Sequence, residues 1–134
     1  MLARHHNRIH PIIGAALARL LSEKTRPSSV LADLLRDLLA AHAGRPALMH
    51  AMETELAHVL PVKDVLEEAK EAENAIRSMA SRIKGPHEQA LASAWLAGEI
   101  TASVSRKLAH DPPKWVDIDL VQSAFARAMR ALVG

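Results

Sequence analysis

From residue 86 to residue 133 the apolar side chains repeat at helical spacing on more than one face, and this limits the fold more than any other feature of the chain. Two helices are predicted there, 86–110 and 117–133, joined by Asp111-Pro112-Pro113-Lys114-Trp115-Val116. On the first, Leu91, Ala94, Trp95, Gly98, Thr101, Ala102, Ser105 and Leu108 form one ridge, because residues three and four apart stack on one side of a helix. Ala92, Leu96 and Ile100 form a second ridge on nearly the opposite side. A helix apolar on two sides has to be covered twice, and one small domain ordinarily covers it once. On the second helix Ile118, Val121, Phe125, Ala128, Met129 and Leu132 make a stripe that Leu120, Ala124 and Ala131 widen, and beyond its first residue Asp117 the charge is confined to Asp119, Arg127 and Arg130. Both helices carry surplus apolar surface, and together they read as half of a four-helix interface between two copies.

The remaining chain is helical in pattern too, with no alternating strand-like stretch. Over about 2–23, Leu2, His6, Ile9, Ile13, Ala16, Leu17 and Leu20 share a face, and Pro11 falls inside it. A kink at Pro11, or a helix that begins at His10, is expected. A loop is expected over 24–28, with Pro27 as a stop and Ser28 or Ser29 as the N-cap of a second helix that runs to about 43. This helix turns Leu31, Leu34, Leu35, Leu38 and Leu39 inward and ends at Gly44. Pro46 starts a third helix (Leu48, Met49, Met52, Leu56 and Val59 inward), which stops before Pro61. Pro61 opens a fourth, with Val62, Val65, Leu66, Ala69, Ala72, Ile76, Met79, Ala80 and Ile83 on one stripe, and Gly85-Pro86 breaks it. The expectation is an all-α, six-helix bundle forming one domain over 1–134.

Composition narrows the function classes. The chain has 134 residues, 49% hydrophobic and 24% charged, the profile of a soluble globular domain. No apolar run approaches the roughly 20 residues that span a bilayer, and no signal peptide is evident, so a cytoplasmic protein without membrane contact is expected. There is no cysteine, which removes thiolate and disulfide chemistry. A net charge of +2 and 2% aromatic residues argue against a nucleic-acid surface.

The helix order, with Arg45-Pro46-Ala47-Leu48, Gly98-Glu99-Ile100 and the closing run from Asp119-Leu120-Val121 to Leu132, resembles the C-terminal domain of tetracycline-repressor (TetR) family transcription regulators. The resemblance implies a helical domain that holds a small-molecule inducer and forms a homodimer through its last two helices. In that family a helix-turn-helix domain comes first and contacts DNA. Here no room for it is expected before Ile9, so the chain starts inside the long helix that follows the DNA-binding head. Any DNA contact would need a head absent from these residues. On this resemblance the pocket candidates are His10, His42, Met49, Met52, Glu73, Met79 and Trp95, and the dimer candidates are Leu96, Ile100, Ser103, Val121, Phe125 and Met129.

Each candidate has a plainer reading. His42 either offers a hydrogen bond to a ligand or caps a helix end, where the dipole favours its cation. His6 and His10 are four apart and with His42 could form a metal sensor, but no acidic neighbour orients them and no HExxH-like motif is present. Glu73 is flanked by Lys70 and Arg77 as local ion-pair partners. Glu99 sits on a narrow polar strip, as a solvated edge or a dimer rim. Met49, Met52 and Met79 are either core or a soft cavity wall, and Trp95 either fills the core or walls a pocket. No catalytic constellation appears, so neither enzyme nor cofactor is expected. The rival reading is a helical interaction protein that binds no ligand and forms homo- or heterodimers.

Overall fold

A computed structural model describes residues 2–22, 24–42 and 62–134, and the side chains of 11–22, 24–41 and 69–134. Among these residues are five helices and no strand: α1 Leu2–Leu21, α2 Pro27–His42, α3 Val62–Ser81, α4 His87–His110 and α5 Ile118–Val133. The all-α class is as expected. The helix expected over 46–60 and the Gly44 terminus lie outside the described residues.

Two expected boundaries change. α1 runs unbroken through Pro11 from Leu2 and does not begin at His10. An interior proline removes one backbone hydrogen bond and costs about 3 kcal/mol, but Ala16 and Leu20 further along the helix are buried in the core and hold the segment. At α2, Pro27 takes the first helical position, where its missing N–H is no loss. Ser28 and Ser29 are therefore inside the helix and neither is its cap. Instead the Arg26 carbonyl accepts from the amides of Ser29 and Val30. The buried Ser28 turns to the other end of the chain, where its hydroxyl and amide donate to the Gly134 carbonyl at 3.1 and 3.5 Å.

The other helix ends follow local chemistry. Gly85 has φ +114°, a left-handed value that only glycine takes cheaply, and it separates α3 from α4. Asp117 caps α5, its Oδ1 accepting from the amides of Asp119 at 2.8 Å and Leu120 at 3.3 Å.

α2 packs against α1, α4 and α5, while α3 joins α1 to α4. One core results. Val30, Leu31 and Leu35 from α2 meet Met79 from α3, Ala94 and Ala97 from α4, and Phe125, Met129 and Val133 from α5. The inner side of α4 is small and partly polar: Ala90, Ala94, Ala97, Thr101, Ser105 and Leu108 are buried. Thr101 Oγ1 donates to the Ala97 carbonyl at 2.7 Å and Ser105 Oγ to the Thr101 carbonyl at 2.6 Å. Buried hydroxyls are satisfied chiefly by their own helix in this way, and Thr101 Oγ1 also lies 4.0 Å from Met129 Sδ of α5. The first ridge expected on this helix is correspondingly rotated: Trp95 and Ala102 face outward, and Ala90 and Ala97 face inward. An inner surface of alanines brings the neighbouring helices close and leaves no space for an indole.

Candidate functional site

Two surfaces stand out once the core is closed. The first is a groove between α1 and α2, lined by Pro11, Ile12, Ala15, Ala16 and Arg19 on one side and Val30, Leu34 and Asp37 on the other. Its volume is about 260 Å3 and its floor is apolar. The rim is charged. Arg19 bridges from α1 to Asp33 of α2 at 3.2 Å, Asp33 also meets Arg36 at 3.3 Å, and Arg36 meets Asp37 at 3.3 Å. These pairs are partly exposed and worth at most about 1 kcal/mol each to stability. They hold a guanidinium and a carboxylate at the edge of an apolar trough, an arrangement suited to binding and lacking any nucleophile–base pair. Among the described residues, no three of His, Asp and Glu gather in a metal-holding group.

The second surface runs along α4, the 111–117 connector and α5. Trp95 is 55% exposed, Leu96 43%, Trp115 87% and Leu120 68%, with Ile118 also exposed. Of the seven large apolar side chains exposed among the described residues, these five lie on this consecutive stretch, the other two being Ile13 and Leu21 of α1. Scattered exposed apolar residues are ordinary, but concentration on one adjoining helix pair makes a candidate interaction surface.

The sequence candidates distribute unevenly over these surfaces. Met79 is buried in the core against α1 and α4 neighbours and lines no groove. Glu73 is exposed and pairs with Arg77 at 3.0 Å, the local i, i+4 ion pair. Trp95 is on the outer face of α4. The side chains of His6, His10 and His42, and the residues Met49 and Met52, lie outside the described residues. Among the interface candidates, Leu96 and Ser103 are exposed, and Ile100 and Val121 are half-buried. Phe125 and Met129 do not belong with them: at 5% and 0% exposure they are in the core of their own protomer. The outward side of α5 is Leu120, Ala124, Ala128 and Ala131 instead. A stripe that covers most of a helix does not say which half of it the chain itself covers.

Ile12, Ala15, Arg19 and Asp37 were not singled out by sequence reasoning, although Leu34 was expected to face inward. The spacing Ile12, Ala16, Leu20 was a usable sign, since it continues the buried line of α1 back into the groove. No family model, curated protein or solved structure matches this chain.

Proposed function

We propose that the chain is a homodimeric, all-helical regulatory domain similar to a TetR-family effector domain, which pairs with a second copy through α4 and α5 and binds a small, largely apolar molecule. The observation that carries this reading is the apolar set Trp95, Leu96, Trp115, Ile118 and Leu120, left uncovered after α4 and α5 have each contributed a full face to the core. A like surface on a second copy supplies apolar cover for it, as the closed symmetry of most homodimers requires.

The α1–α2 groove supports the ligand part. A molecule seated between Ile12 and Leu34 would favour one angle of α1 against α2, and a small shift of population at that angle moves the N-terminal end of α1. Size favours a second reading in part. Small-molecule pockets usually hold about 300–1,000 Å3, and this groove, at about 260 Å3, falls just below that range. A pairing protein without a ligand accounts for the exposed surface equally well.

Absolute mass in solution tests the shared premise. The wild type is expected to be a dimer, and Leu96→Asp with Leu120→Asp a folded monomer, because both positions are exposed in the protomer. A wild-type monomer overturns the reading. Thermal shift against a panel of apolar compounds then separates the two versions: stabilisation that Ala15→Trp abolishes by filling the groove supports a ligand domain, and none across the panel supports the pairing protein.

A further inference from the structure

Arg82, near the C-terminal end of α3, stands apart from every other charged residue described. Its guanidinium has five N–H donors, and each has an acceptor. Nε donates to the Ser78 carbonyl at 3.3 Å, and Nη1 donates to the carbonyls of Ser22 and Thr25, both at 2.8 Å. Nη2 donates to the Leu20 carbonyl and to Ser78 Oγ, the latter at 3.5 Å. None of these partners is a carboxylate. Three of them, Leu20, Ser22 and Thr25, belong to the corner where α1 ends and α2 is about to begin. Ser78 strengthens the same junction, its hydroxyl donating to the Leu20 carbonyl at 3.0 Å.

The last carbonyls of a helix have no partner within it and must be met from outside. Here one cation just beyond a third helix meets the Leu20 carbonyl of the last turn and that of Ser22 after it, and it also takes the carbonyl two residues before Pro27. The corner is thereby tied to α3. Arg19 and Ala16 of the groove are one turn or less from Leu20, and Val30 is one turn into α2. Whatever fixes the corner also fixes how far the two groove walls stand apart.

We infer that Arg82 is the positioning residue of the α1–α2 groove: without lining it, Arg82 sets the angle between its walls by holding their corner to α3. The inference about the angle stands on the hydrogen bonds alone; its consequence for binding rests on the ligand reading above.

The chain has no cysteine, so two introduced ones can be labelled cleanly. Gly14→Cys, where an added Cβ meets nothing within 4 Å, and the exposed Ala40→Cys place spin labels on α1 and α2 away from the corner. Pulsed electron–electron spectroscopy on the full chain then reads the distance distribution with Arg82, Arg82→Lys and Arg82→Met. The expected result is a narrow distribution for Arg82 and one at least about twofold broader for Arg82→Met. Arg82→Lys falls between, because an ammonium has three donors for the five acceptors. An Arg82→Met protein with full helical content and an unchanged distribution overturns the inference. Should Arg82→Met fail to fold, Arg82→Lys decides in the same way. Nile red binding by the same proteins keeps the two ideas apart. A broadened distribution with dye affinity reduced about tenfold in Arg82→Met supports both. A broadened distribution with no dye bound by the wild type, or dye binding untouched by Ala15→Trp, sinks the groove reading and leaves the positioning role of Arg82 intact.

Discussion

Two of the described helix junctions, α1–α2 and α4–α5, are built in opposite ways. Between α1 and α2 the corner is short, and the carbonyls of Leu20, Ser22 and Thr25 take donors from Ser78 of α3 and from Arg82 just beyond it. Thr25 adds its hydroxyl to the carbonyls of Arg19 and Ser22. Between α4 and α5 the connector manages alone. Asp111 and Asp117 terminate the flanking helices from within, one turn closes by the Val116 amide on the Pro113 carbonyl, and Trp115 projects at 87% exposure. A corner fastened by a distant residue reports on tertiary structure and moves with it. A self-sufficient connector that displays an indole is free to meet something else. The first junction is thus fastened by tertiary contacts and the second by its own caps and turn.

Changes at the two junctions are expected to differ accordingly. The largest effect belongs to Leu20→Ala at the first corner, which empties a buried side chain and should cost about 2–5 kcal/mol, read from the urea midpoint. A cost below about 1 kcal/mol would mean that the corner is not packed as described. Arg82→Met comes next, at about 2–3 kcal/mol, because hydrogen bonds to charged groups are worth about 1.5–3 kcal/mol and the freed carbonyls regain water only in part. Hydrogen exchange should quicken around the α1–α2 corner before it does in α5.

At the second junction Asp117→Ala should cost about 1 kcal/mol, the usual loss of a helix N-cap, with the effect confined to the first turn of α5. Asp117→Asn, which keeps the acceptor, should recover most of it. Trp115→Ser should leave the stability of the protomer within about 0.5 kcal/mol, as exposed substitutions do. If the thermal midpoint instead falls by several degrees, and does so in a concentration-dependent way, Trp115 is covered in solution. The contrast between the junctions then becomes one between an internal and an external contact.

How far this was legible from residues alone varies with the kind of interaction. The helical class, the breaks at Pro27 and Gly85-Pro86, and the inward face of α2 follow from periodicity and from backbone chemistry local to a few residues, whereas on α3 Met79 and Ala80 of the expected stripe are buried but Ala69 and Ala72 are exposed and Ala75 is buried instead. The rotation of α4 did not follow. Trp95 had the apolar bulk that suggests burial, yet alanines and hydroxyl residues form the inner side, because helices packed closely favour small side chains over hydrophobic ones. Phe125 and Met129 were assigned outward on a stripe too wide to have a unique inside. Ser28 looked like a cap from its position and is instead a tie to Gly134, 106 residues away. Arg82 gave no sign at all in the sequence: an arginine near a helix end is ordinary, and its acceptors are backbone carbonyls, which every residue has.

The sequence by itself determined that this chain is helical, where most of its described helices begin and end, and that its last two helices are apolar on more than one face. Hydrophobic period, proline and glycine act over one or two turns, and that range can be read along the chain. Only the tertiary structure decided which half of that apolar surface is core, that the α1–α2 corner is held by a residue just past α3, and that a groove opens between α1 and α2. Those outcomes depend on how closely helices approach and on which orphan carbonyls a distant donor can reach, and neither distance is encoded by the spacing of residues in one helix.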